Sequence, residues 1–350
     1  MSHRLLFVLH QMGTLDHAVA LKGQLSAAGG SVEHVVVGGA EIPNWAKEHF
    51  PAHEGHPEGE AITQLGSFRA AWVPSPYEGL RPLLWRRLWE KVPLVYSGYG
   101  VNLTDWEAGH YELDFYSRCE RILTTSSLDT EGRLAAGADR DRLVLGGDPL
   151  LSQIVSSSMS EEGPERPDTV LWAPHWTKDW FGKPGFSNWE WAVGALYKFF
   201  RQRPSTKLIV RPHPFLDFQK GGFNARRCAR AMLALPNVSV SEASMHEDIV
   251  RSDILVSDGV TILAYFGVTS KPVVFLRKEN VSPPFNPVGV ELAAAAQTAT
   301  SPAELVSLLS QLLGPPGGQS GLEADHMRDV VLRSFLVGHE SPGAALLASL

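Results

Sequence analysis

"DILVSDGVTILAYFGVTSKPVVFL", residues 253–276, decides the fold. It reads as a short apolar strand, a small polar turn at Ser257, Asp258 and Gly259, a helical apolar stretch from Thr261 to Gly267, and a second apolar strand entered through Lys271 and Pro272. Two strands joined through a short helix form a strand-helix-strand unit with parallel strands. Because both alternating positions of each strand are apolar, both faces of the sheet are expected to be covered.

The alternation extends in both directions. Further strands are read at 169–173, 206–211 and 237–240, and helices at 187–203, 223–235, 243–251 and 302–313. The first half repeats the pattern, with strands at 4–9, 32–37, 69–73, 92–96, 120–125 and 142–145 and helices at 15–28, 80–90, 127–136 and 148–157. Between the halves, "SMSEEGPERPD" at 158–168 has the Pro, Gly and charge content of an exposed linker. The expected class is α/β, with two Rossmann-like domains, 1–157 and 168–321, facing each other across a cleft. A second break, "GPPGGQSG" at 314–321, sets off a C-terminal helical segment, 322–350.

A chain of 350 residues accommodates two such domains, and its 44% hydrophobic and 20% charged content suits a globular protein. The net charge of −7 argues against general binding to nucleic acid, which needs a broad basic surface. Cys119 and Cys228 stand alone and fit no metal-ligand spacing, so free thiols in a reducing compartment are expected. The first apolar run is too short for a signal-peptide core, and no stretch reaches membrane-spanning length, which points to the cytoplasm. No phosphate-loop, dinucleotide-fingerprint, nucleophile-elbow or zinc-protease motif is present, and neither a cofactor nor a catalytic metal is expected.

In open α/β sheets, ligands gather at the carboxyl ends of strands. Five such places stand out. "APHWTKDW", 173–180, offers His175 and Trp176 as a stacking wall or acid/base group, or else as edge packing. In "LIVRPHP", 208–214, two prolines brace Arg211 and His213 where both can donate hydrogen bonds to a phosphate. At Ser257, Asp258 and Gly259 the backbone can approach a ligand closely, and Thr261 is expected to cap a phosphate-facing helix; an ordinary turn uses the same residues. "YSGYGVNLTDWEAGH", 96–110, supplies Asp105, Glu107 and His110 as candidate bases toward an acceptor hydroxyl, or as solvated loop residues. "RPLLWRRLWEKVP", 81–93, is a basic, aromatic helix suited to an anionic membrane surface or to covering the sheet with Leu84, Trp85 and Leu88.

Together these segments resemble the CDP-glycerol glycerophosphotransferase family of teichoic-acid and capsule synthesis. "LWAPHW" is similar to that family's Ala-Pro-Thr-Trp segment and "VRPHP" to its Arg/His-Pro segment. Residues 120–154 are similar to its strand ending in Ser-Ser and the helix and strand that follow, and residues 253–276 to its strand, Asp-Tyr-Ser-Ser, helix, Lys-Pro, strand block. The resemblance implies a GT-B architecture in which the second domain holds a nucleotide-activated donor, with His213 and Thr261 near its phosphates. The first domain then holds a glycan or lipid-linked acceptor at the inner face of the membrane, which gives residues 81–93 a purpose. Ser97 stands where the family has the histidine proposed as base, so Asp105, Glu107 or His110 is expected to serve. Gly259 and Val260 stand where it has an aromatic ring and a hydroxyl, which brings a nucleotide sugar into view as donor. Three functions remain in view: a glycerol-phosphate or glycosyl transferase, a nucleotide-sugar epimerase or hydrolase of the same build, and a catalytically inactive binding subunit.

Overall fold

The computed structural model describes residues 4–9, 12–37, 41–75, 82–98, 100–105, 114–158, 168–176, 179–180, 183–185, 187–278, 284–314, 320–335 and 341–350. The chain divides into two packed units. One comprises Met1–Asn102, Trp106–Gln153 and Arg333–Leu350; the other comprises Leu103–Asp105 and Ile154–Leu332.

The first unit is built on a parallel sheet of β1 (Arg4–Leu9), β2 (Ser31–Val36), β3 (Gly55–His56), β4 (Ala70–Val73), β5 (Leu94–Ser97), β6 (Cys119–Thr124) and β7 (Leu143–Leu145), in the order β3-β2-β1-β4-β5-β6-β7. Its helices are α1 (Leu15–Ala27), α2 (Glu58–Gln64), α3 (Pro82–Lys91), α4 (Asp114–Ser117), α5 (Ser127–Ala135) and α6 (Pro149–Ser158), the last crossing the boundary between units. The alternation along β1 explains why both faces are covered. Leu5, Phe7 and Leu9 pack with Leu15, Ala18, Leu21 and Leu25 of α1, while Leu6 and Val8 pack with Ala61 of α2 and Leu88 of α3 on the opposite face.

The second unit carries β8 (Thr169–Ala173), a short hairpin of β9 (Asp179–Trp180) and β10 (Lys183–Pro184), α7 (Trp189–Arg201), β11 (Lys207–Val210), α8 (Phe223–Leu233), β12 (Val238–Val240), α9 (Met245–Arg251), β13 (Ile254–Ser257), α10 (Ile262–Gly267), β14 (Val273–Leu276), α11 (Pro287–Ala295), β15 (Gln297–Ala299) and α12 (Pro302–Leu312). Its parallel sheet runs β12-β11-β8-β13-β14-β15. The chain moves outward from β8 through β11 to β12 and then returns to β13 on the other side of β8. The order therefore reverses between β8 and β13, where Ala173 pairs with Ser257. Carboxyl ends of strands at such a reversal are where open α/β sheets place ligands.

The α/β alternation is as expected in both halves, and each is a Rossmann-like unit. The segment expected to stand apart at 322–350 is instead divided. In α13 (Ser320–Phe335), Met327 and Val331 pack around Gly267 of α10, whereas α14 (Pro342–Ser349) lies on α1 in the first unit. The cause is burial: Leu346 joins the α1 core, and Gly343 sits so close to α1 that a Cβ there would meet that of Gln24 at 2.5 Å. Gln24 fixes the contact by accepting from the Gly343 N–H at 3.1 Å and donating to the Pro149 carbonyl at 3.0 Å.

The elements not foreseen are β3, the β9-β10 hairpin, β15, α2, α4 and α11. They are short or weakly patterned: β3 has two residues, and the Gln-Thr-Ala of β15 takes its pairing from β14 rather than from propensity. Most of the linker at 158–168, residues 159–167, lies outside the described residues, as does 315–319 of the second break. Within 81–93, Pro82–Lys91 form α3, with Leu88 buried, Trp89 beneath the Arg118 guanidinium and Arg87 paired to Glu90 at 3.7 Å; Arg81 and the side chains of 82–86 lie outside the described residues. Among the described residues no helix is long and apolar enough to cross a membrane.

Two glycines test the packing from opposite directions. A Cβ at Gly221 would lie 2.1 Å from Cη2 of the buried Trp189, while one at Gly23 in α1 would meet nothing within 4 Å. Gly221→Ala is expected to cost about 1–3 kcal/mol through overpacking. Gly23→Ala is expected to stabilise by about 0.5–1 kcal/mol through helix propensity. Urea unfolding midpoints of the two variants should therefore move in opposite senses.

Candidate functional site

The reversal point of the second sheet is closed by a polar clasp built from the end of β13. Ser257, fully buried, donates to the Ala173 carbonyl at 2.7 Å and accepts from the Gly259 N–H at 2.8 Å. Next to it, the buried Asp258 carboxylate accepts from the His175 N–H at 2.6 Å through Oδ1 and from the Asn188 N–H through Oδ2. The carboxylate thus joins both ends of the segment that leaves β8 and enters α7. Asn188 extends the join, donating to the Leu276 carbonyl at 3.2 Å and accepting from the Trp191 indole at 2.9 Å. Ser187 adds a bond to the His175 carbonyl at 2.5 Å. Burial pushes Asp258 up to about 6, against the lowering effect of the N–H bonds it accepts.

Above this clasp, four rings gather at the carboxyl ends of β8 and β11. His175 and His213 have centroids 4.9 Å apart, Trp176 lies 5.9 Å from each, and Phe215 stands edge-on to Trp176 at 5.7 Å and 5.4 Å from His213. The proline-braced strand end produces this geometry: the His213 N–H reaches the Pro174 carbonyl at 3.1 Å, and the Arg211 N–H reaches the Trp172 carbonyl at 2.9 Å. The two strand exits are thereby zipped together. The Phe215 N–H donates to Nδ1 of His213 at 3.2 Å, which leaves the ring proton on Nε2. Burial lowers His175 to about 3, with a further contribution from His213, and lowers His213 to about 4. Both imidazoles are neutral at physiological pH, so they act as hydrogen-bonding groups rather than as cations.

The other expected residues are placed differently. Arg211 Nη1 donates to Asp248 at 2.9 Å and to the Ala243 carbonyl at 2.8 Å. Asp248, fully buried, also accepts from Ser241 and Arg251, each at 2.5 Å. The guanidinium thus ties β11 to α9. Thr261 was expected to cap α10, but it has helical φ/ψ of −60° and −35° and makes no capping bond, whereas a capping side chain requires an extended backbone. The Gly259 N–H is consumed by Ser257. Ser257 and Asp258 therefore spend their side chains on the exit of β8, the entry of α7 and the Gly259 N–H.

The expected acceptor loop is only partly described: Glu107 and His110 lie outside the described residues. Asp105 is exposed and packs with the second unit, its N–H donating to the Pro284 carbonyl at 2.8 Å. This differs from its expected place in the first domain, because Leu103 and Thr104 pair with Asn286 and Phe285. Ser97 is turned into the core, where it accepts from the Trp72 indole at 2.8 Å. The acidic turn at 139–141 is structural, Asp139 accepting from the Asp141 N–H at 3.0 Å.

Sequence reasoning passed over Phe215, which leaves 72% of its surface exposed, and the supporting Asn188 and Asp248. Phe215 directly follows the Arg-Pro-His-Pro run, and an exposed ring beside two prolines was the available signal. Asn188 and Asp248 meet key partners 70 and 37 positions away.

No protein-family model and no curated protein sequence matches this chain. The likeness appears among solved structures. A putative UDP-N-acetylglucosamine 2-epimerase from Listeria monocytogenes aligns over 99% of this chain and 94% of its own at 11% identity, with a TM-score of 0.58. The Neisseria meningitidis UDP-GlcNAc 2-epimerase, bound to UDP-GlcNAc, aligns over 95% and 100% at 11% identity, with a TM-score of 0.53. The wall teichoic acid polymerase TagF, soaked with CDPG, aligns over 99% and 87% at 12% identity, with a TM-score of 0.62. The fold is GT-B. At such identities the likeness concerns the fold alone.

The buried groups give the unfolding equilibrium a defined pH dependence. The histidines hold protons less tightly folded than unfolded, so their contribution is whole above their unfolded value of 6.5 and is lost as pH falls toward 4 and 3. Asp258 acts in the opposite sense, favouring the folded state as pH falls from about 6 toward 3.8. Two histidines outweigh one carboxylate, so the urea midpoint should be lower at about pH 4.5 than at about pH 7. His213→Gln, which keeps an acceptor for Phe215, should narrow that difference.

Proposed function

We propose that this chain is a GT-B-type transferase that moves a glycerol-phosphate-like or glycosyl group from a nucleoside diphosphate donor, with cytidine the first choice of base, to a hydroxyl of a glycan or lipid-linked acceptor. The observation that carries the reading is the neutral ring cluster at the carboxyl ends of β8 and β11. Trp176 and Phe215 offer apolar faces for a base or sugar, and the His213 Nε2–H offers a donor to a phosphate oxygen as negative charge develops on the leaving nucleotide. Support also comes from solved structures of this fold with UDP-GlcNAc and with CDPG. In this proposal Asp105, Glu107 or His110 takes the acceptor proton, no metal or organic cofactor is required, and the reaction belongs to the cytoplasm, with residues 81–93 resting on the inner face of the membrane.

A second reading, a nucleotide-sugar epimerase or hydrolase, is favoured by the inward turn of Ser97, which removes that hydroxyl from acceptor chemistry. Incubation with UDP-N-acetylglucosamine, with and without a hydroxyl acceptor, separates the two: epimer or free sugar without acceptor indicates the second reading.

Calorimetric titration with CDP, CMP and UDP tests the donor proposal. Saturable binding is expected, strongest for a diphosphate. His213→Ala is expected to weaken it up to about tenfold, the value of one hydrogen bond at a desolvated site. Absence of heat with all three nucleotides would overturn the proposal.

A further inference from the structure

We infer that Asp258 is the positioning residue of the ring cluster: it grips the backbone N–H groups of His175 and Asn188, thereby fixes the strand exit that presents His175 and Trp176, and does not itself touch the ligand. The inference rests on the nucleotide reading above and adds a residue that acts through others.

Both carboxylate oxygens are spent on N–H groups, and 1% of the residue is exposed. An ionised carboxylate pointed at a phosphate would repel it, whereas one turned inward leaves the ligand facing the imidazoles. The two gripped residues bracket the whole segment from the end of β8 to the start of α7, so one side chain sets both ends. No charged side chain contributes to the rise in its pKa, and burial is its leading cause. The fold thus keeps an unpaired carboxylate out of water at a cost to stability. The geometry explains why it has to be a carboxylate. Two N–H donors need two acceptor atoms on one short side chain; an amide would turn an NH2 toward one of them and leave it unsatisfied. A negative charge just before the first turn of α7 also suits the dipole of that 13-residue helix.

Among the described residues, the titratable and charged groups around the clasp are His175 on the gripped segment, His213 beyond it, Glu190 in the first turn of α7, and Lys278 after β14, whose ammonium bonds the Gly185 carbonyl at 2.7 Å. The histidines change protonation at about 3 and about 4, well below Asp258.

The test has two readouts. In the unliganded protein, the amide resonances of His175 and Asn188 should move together with pH, with a shared midpoint near 6, and Asp258→Asn should abolish that movement. In titrations with CDP at neutral pH, Asp258→Asn should weaken binding about tenfold, the consequence of one unsatisfied N–H. A carboxylate facing the phosphates predicts the opposite sign, tighter binding once the charge is removed. Equal or tighter CDP binding by Asp258→Asn, or His175 and Asn188 amides that do not shift together as the wild type is titrated toward acid, would overturn the inference. If Asp258→Asn does not fold, the wild-type amide titration decides the grip, and Asp258→Glu, which keeps both acceptors on a longer arm, should still bind CDP but more weakly. If the wild type binds no nucleotide, the donor reading fails while the amide titration still decides the grip.

Discussion

A parallel sheet whose strand order reverses leaves a gap between two strand ends, and in the second unit that gap is closed by one desolvated carboxylate. Asp258 accepts the N–H groups of His175 and Asn188, and its neighbour Ser257 bonds across to Ala173. The exit of β8, the entry of α7 and the end of β13 are thereby fixed relative to one another. The exit of β11 joins them through the His213 N–H on Pro174. The four rings depend on this backbone scaffold, because two of them ride on the residues that Asp258 and Pro174 hold.

The first unit uses the same architecture differently. The end of β5 is sealed by an indole bonded to Ser97 and by Tyr96 packed against Phe115 and Tyr116. The end of β6 is a helix start in which Ser126 caps the Asp129 N–H, and Asp129 accepts from Thr125 and pairs with Arg133. These are apolar or locally satisfied arrangements. The second unit instead gathers uncharged hydrogen-bonding rings at its strand ends.

The architecture was legible in the sequence because it rests on local pattern. The apolar runs at 253–257 and 272–276 and the helix between them can be read without knowing any contact, since burial on both faces imposes them residue by residue. Elements defined by their neighbours were not legible: β15 is a polar triplet made a strand by β14, and α14 belongs to the first unit because Gly343 admits α1 closely. The same division runs through the site. His175, Trp176 and His213, whose rings the fold brings together, could be singled out because strand ends and prolines announce them. The orientation of Arg211 was not, because an arginine after a strand looks the same whether it meets a phosphate or a buried aspartate thirty-seven positions on. Ser257, Asp258 and Gly259 stand out as a polar break after a buried strand, but which partners they bond is a tertiary fact.

That difference in facing alters the electrostatics of the site. With Arg211 Nη1 held by Asp248 and both imidazoles neutral, the cluster carries donors and dipoles rather than fixed positive charge. The imidazoles are neutral because burial disfavours their charged forms, and an anion brought within about 4–6 Å opposes that effect by favouring the protonated ring. An anionic ligand at this site would therefore favour a proton on Nδ1 of His213, in competition with the Phe215 N–H that Nδ1 accepts, and affinity and protonation become linked. The carboxylate beneath responds in the same direction, since added negative charge raises its pKa further. Burial, which makes the cluster look uncharged at rest, is thus what makes it responsive to a charged ligand.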